Sequence, residues 1–117
     1  MWELERTSRF VRRLRKLEKR HRREVEAVMD NLDTYLMSLK LGVKPMQMVK
    51  QSFVHNEQMG IHAIDQSPLK KGSKALRLYV FPDEDHSRLH IITFGDKDQQ
   101  SNDVNECCEY VQELRKE

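Results

Sequence analysis

The sequence predicts an α+β domain in the order β-α-α-β-β-β-α, with a helical hairpin packed on a small, mainly antiparallel, twisted sheet. Three observations carry that prediction. Apolar residues recur at helical spacing in two consecutive N-terminal runs, Phe10, Val11, Leu14, Leu17 and then Val25, Val28, Met29, Leu32, Leu36, Leu39. Two alternating apolar stretches flank the turn Pro82-Asp83-Glu84-Asp85-His86. A last helical run places Val104, Cys108, Val111 and Leu114 on one face. A chain of 117 residues, 38% of them apolar, suits one domain spanning 1–117 with a modest core.

Trp2-Glu3-Leu4-Glu5-Arg6 alternates and reads as a short opening strand. Thr7 or Ser8 can cap the first helix by accepting a backbone N–H. The charged stretch 18–23 is where the chain is expected to turn into the second helix, which Gly42 and Pro45 then end. Residues 43–58 show no clear period. Met46, Met48, Val49, Phe53 and Val54 suit a short helix, a strand or a packed loop equally. Residues 60–65 read as a strand, and Ser67-Pro68 and Lys70-Lys71-Gly72-Ser73 mark a loop. Ala75–Phe81 and Leu89–Phe94 are the clearest strands, and Ser101 or Asn102 can cap the final helix.

Charge is unevenly spread. Charged residues make up 34% of the chain and the net charge is only +2. Residues 1–24 carry ten cations against four anions, and residues 82–117 carry four against ten. A basic half in a near-neutral protein points to an anionic partner, or to internal ion pairs with the acidic half. Cys107 and Cys108 are adjacent and form no disulfide framework or metal cluster, which suits a reducing compartment. With no apolar run of membrane-spanning length and no secretion-type N-terminus, a cytoplasmic protein with no membrane partner is expected.

The text "TSRFVRRLRKLEK" looks like the first helix of the RelE/ParE superfamily of toxins. The text "GSKALRLYVFPDEDHSRLHIITFGDKDQQSNDV" is similar to the core hairpin and exit turn of its phage-derived, Gp49-like branch. There an Arg-hydrophobic-Tyr/Phe strand precedes a second apolar strand, a Gly, a Lys-Gln turn and a helix. The resemblance covers most of the chain except residues 43–58. It implies a RelE-like fold and the toxin component of a type II toxin–antitoxin system. The expected partners are a cognate antitoxin, mRNA and the ribosome. The expected activity is endoribonucleolytic, without metal or other cofactor. The alternative is a non-catalytic module of the same fold, either a gyrase-poisoning toxin or a regulatory remnant.

Metal-free RNA cleavage needs a base for the 2′-hydroxyl, cations for the phosphate and an acid for the leaving oxygen. Strand alternation sets Leu76, Leu78 and Val80 under the helices and Arg77 and Tyr79 on the other, open face. Arg77 offers a planar fork matched to phosphate, and Tyr79 can donate a proton or stack on a base. Arg77 and Tyr79 match the family's Arg-x-Tyr strand, and Lys97 sits in its exit turn, so these three are the expected catalytic set. Lys70, Lys71, Lys74, His62 and His90 are the expected RNA-binding residues. Each has a structural alternative: Arg77 as an ion-pair partner of Asp65 or Asp96, Tyr79 as a packed aromatic, the lysines as solvated loop residues and the histidines as hydrogen-bonded ones. Convergence of Arg77, Tyr79 and Lys97 on one exposed cleft would favour catalysis. An Arg77 consumed in a buried ion pair would favour binding.

Overall fold

A computed structural model describes all of residues 1–117. The chain runs β1 (Glu3–Arg6), α1 (Ser8–Arg20), α2 (Arg22–Lys40), β2 (Val54–Asn56), β3 (His62–Ile64), β4 (Leu76–Asp83), β5 (Arg88–Asp96) and α3 (Gln100–Arg115). Short 3-10 turns cover Pro45–Lys50, Gln58–Gly60 and Lys97–Gln99. The five strands form one sheet in the order β1-β5-β4-β3-β2. Only the β1–β5 pairing is parallel.

Local chemistry accounts for most boundaries. Thr7 caps α1 by accepting from Phe10 N at 3.0 Å. A single non-helical residue, His21, separates α1 from α2. Gly42, with φ of +97°, sits just beyond α2, where a left-handed backbone is easy only for glycine. The cap expected at Ser101 or Asn102 is not used, because α3 begins at Gln100 with no side-chain cap bond. The segment 43–58 resolves into the first 3-10 turn, which buries Met48, and the three-residue strand β2. β2 is a strand beyond those the sequence predicts.

The sheet is covered on both faces. Leu76, Leu78 and Val80 of β4 are fully buried with Phe10 of α1 and Val28, Tyr35 and Leu39 of α2. That is the face on which the sequence places the helical hairpin. A fully buried leucine contributes about 1.5–3 kcal/mol of transfer free energy, so this layer carries most of the core. The opposite face carries a second cluster, in which α3 lays Val104, Cys107 and Val111 on Ala63, Tyr79 and Ile92. The apolar stripe of α3 therefore centres on the buried Cys107, with the expected Cys108 packed, partly buried, against the same cluster.

The two charged halves meet across α1 and α3. Arg9 lies 2.7 Å from Glu106 and Arg13 lies 2.8 Å from the buried Asp103. Internal pairing thus accounts for part of the basic half. Arg12, Arg15, Lys16, Lys19 and Arg20 remain exposed on α1 without ion-pair partners.

Candidate functional site

Because α3 lies across the sheet, the face expected to be open is open only at one end. Tyr79 is wholly buried beneath α3, and its hydroxyl has no hydrogen-bond partner. Burial raises its pKa, with the negative charge of Asp103 adding to that shift. A phenol held in this way neither reaches a substrate nor gives up a proton at working pH, so the structure does not place Tyr79 in the site. Tyr79→Phe is expected to raise stability by about 1 kcal/mol, because it removes an unsatisfied buried hydroxyl. Denaturant melts of the two proteins check this, and an unchanged midpoint would mean that the hydroxyl finds a partner.

Arg77, near the start of β4, is not on an open face as the sequence suggests but mostly buried. Its Nη1 lies 3.8 Å from Glu57 Oε2, and the two side chains are 13% and 16% exposed. Neither Asp65 nor Asp96 takes the pairing role that the sequence suggests. The contact is an ion pair but too long for a hydrogen bond. Neither side chain makes any hydrogen bond, yet none of their polar atoms is sealed from solvent. The donors of the guanidinium are therefore held close to a carboxylate without being consumed by it. Strand alternation sets Arg77 on the same face as the α3-covered Tyr79, so the pair lies beside that patch.

Lys97 is exposed and unpaired, and its backbone N–H donates to Ala75 O at 3.0 Å. It forms a rib between two depressions. One, of about 440 Å³, runs between Glu57, Gln58 and the first turn of α3, with Lys97 and Asp98 at its end. The other, about 80 Å³, is lined by Asp65, Gln66, Ser67, Arg77 and Lys97. Arg77 and Lys97 thus converge as the sequence suggests, and Glu57 joins them from the segment that sequence reasoning left unassigned.

The remaining candidates separate. Lys74 borders the site, with its Nζ 3.3 Å from Asp98. Lys70 and Lys71 line a different depression with Arg23. His62 lies on the helical-hairpin face, where Nδ1 meets the Tyr35 hydroxyl at 2.7 Å. His90 is covered by α3 and meets the Tyr110 hydroxyl at 2.8 Å. Desolvation lowers the pKa of both rings, so each is a neutral structural histidine and neither faces the Arg77 cleft.

The histidine near this end is one that sequence reasoning passed over. His55 on β2 places Nε2 2.6 Å from Asp65 Oδ2, and Asp65 Oδ1 accepts from Ser67 N at 2.8 Å. Its sequence signal was thin, a lone histidine between an apolar and a polar residue. No three His, Cys, Asp or Glu side chains are grouped so as to hold a metal ion. No helix is long and apolar enough to cross a membrane. No family model, curated protein or solved structure matches the chain.

Proposed function

We propose that the protein is a toxin of the RelE/ParE superfamily, from a type II toxin–antitoxin system, that cleaves mRNA on the ribosome without a metal. The observation that carries this reading is the Glu57–Arg77 pair, set loosely beside the cleft that ends at Lys97. Glu57 takes the proton of a 2′-hydroxyl, and the 2′-oxygen attacks the adjacent phosphorus. Arg77 grips the phosphate oxygens in a forked contact and Lys97 adds a second charge, so the extra negative charge of the transition state meets fixed cations. The unpaired cations of α1 suit docking on the dense phosphates of ribosomal RNA. The helical hairpin on one face of a mainly antiparallel sheet supports the reading, although β2 adds a strand to the order that the resemblance implies.

The test is incubation of purified protein with mRNA-programmed ribosomes, followed by mapping of the new ends. The expected products carry a 2′,3′-cyclic phosphate and a 5′-hydroxyl. Glu57→Gln should lower the single-turnover rate by about 100-fold or more, since it removes the base and keeps the shape. A second reading, the non-catalytic binding module, is favoured by one observation: Arg77 is mostly buried beside a carboxylate. Intact mRNA in this assay, with the protein still bound to its target, would select it.

A further inference from the structure

Cleavage through Glu57 and Arg77 leaves one chemical role unfilled. The departing 5′-oxygen needs a proton, and Tyr79, the sequence-level candidate, is sealed beneath α3. Resting on the ribonuclease reading above, we propose that His55, oriented by Asp65, is the general acid that protonates this leaving oxygen.

Placement is the first argument. His55 and Glu57 are two residues apart in extended backbone, since β2 covers Val54–Asn56 and Glu57 continues it at φ −116° and ψ −172°. Residues so spaced project from the same face of a strand, about 7 Å apart. In-line attack sets the entering 2′-oxygen and the leaving 5′-oxygen on opposite sides of phosphorus, so base and acid must flank it. Neighbouring side chains on one face of one strand can do that. His55 pairs with Ala63 on β3, and Ala63 pairs with Tyr79 on β4. The register thus sets His55, the buried Ala63 and Tyr79 side by side on one face of the sheet, the face from which Arg77 also projects.

The hydrogen bonds supply the second argument. A carboxylate only accepts, so the nitrogen facing Asp65 carries a proton. The bond from Ser67 N fixes the other oxygen of Asp65, so the carboxylate is anchored at both ends. The imidazole is therefore oriented through Nε2, while Nδ1 has no protein partner and the side chain is 37% exposed. In the imidazolium form, Nδ1–H is the proton that can be given away. The step balances: the 2′-hydroxyl proton passes to Glu57, the bond from 2′-oxygen to phosphorus forms and the bond from phosphorus to 5′-oxygen breaks. The 5′-oxygen takes the Nδ1 proton. Neutral His55 and protonated Glu57 then exchange their protons with water. His62 and His90 cannot replace His55, because a tyrosine hydroxyl occupies Nδ1 in each and both rings are buried.

The competing account is that the His55–Asp65 contact only ties β2 to its neighbour. A leaving-group test separates the two. Ribosomes are programmed with an mRNA whose 5′-oxygen at the mapped cleavage site is replaced by sulfur, because a thiolate departs without protonation. His55→Ala and His55→Gln are each expected to cleave ordinary mRNA about 100-fold more slowly than the parent. Both should cleave the sulfur-containing mRNA at nearly the parent rate. Glu57→Gln should stay slow on both substrates. Asp65→Asn should show a smaller loss than His55→Ala on ordinary mRNA and none on the sulfur substrate, as befits a positioning residue. If the histidine variants are slow on both substrates, or match the parent on both, His55 is not the acid. If the parent cleaves neither, the ribonuclease reading itself fails and the acid role falls with it. Circular dichroism and binding to a 2′-O-methyl mRNA, which lacks the attacking hydroxyl, identify any variant that merely fails to fold or dock.

Discussion

On the proposed ribonuclease reading, Arg77→Ala is expected to slow single-turnover cleavage of ribosome-bound mRNA by about 100-fold or more while leaving the fold intact. The loss is large because a guanidinium at the scissile phosphate meets charge that appears only in the transition state. Its own charge persists at any working pH. The fold should survive because the ion pair with Glu57 is long and both side chains already touch water, so removing one does not strand the other in an apolar interior. Arg77→Lys should recover little, since one ammonium cannot reproduce a planar fork on two phosphate oxygens. Lys70→Ala and Lys71→Ala should spare the chemical step, because those residues line a different depression. A folded Arg77→Ala protein that cleaves at the parent rate would remove Arg77 from the site and leave Glu57 without the partner that defines its role.

The sequence revealed one face of the sheet and concealed the other. Leu76, Leu78 and Val80 alternate with Arg77 and Tyr79, and that alternation alone assigns the helical-hairpin side correctly. It cannot say what lies on the far side. Alternation distinguishes two faces but does not reveal that α3 returns to cover Tyr79. The run of α3 obscures that return, because its contact face includes Asp103, an acid that reads as solvated until Arg13, ninety residues away, is seen to meet it. Glu57 and His55 were hidden for a different reason. The segment 43–58 fully buries only one methionine in a 3-10 turn and one valine in a three-residue strand, with Val43 and Phe53 packed at the core's edge, too irregular a set to establish a period. Arg77 stood out as a candidate because a cation at an alternating strand position needs an explanation. Its partner did not, since Glu57 belongs to a strand that the sequence does not announce.

Gly95→Ala is expected to lower folding stability by about 2 kcal/mol or more, despite the mildness of the change, because overpacking a tight interior costs that much. Gly95 is buried in β5, opposite Arg77 in the strand register. A Cβ built there would collide with Asp103 Oδ2 and stand 3.2 Å from Arg13 Nη1. In open space alanine would be the better strand residue, since glycine gives up more chain entropy on folding. Here the added methyl presses on both members of an ion pair that joins α1 to α3 past β5. Asp103 has little room to yield, because it is fully buried and Arg13 already takes its Oδ1 at 2.8 Å. Asp103→Ala removes the obstacle but leaves Arg13 with a 3.5 Å bond to Phe94 O and a 3.9 Å contact to Glu106, so it carries a cost of its own. The two changes should therefore be strongly non-additive. The double variant should lose clearly less stability than the sum of the single losses, because the collision that makes Gly95→Ala costly no longer exists. Urea denaturation midpoints at constant slope measure all four proteins. Simple additivity, or a Gly95→Ala protein as stable as the parent, would show that α3 does not press Asp103 against the strand.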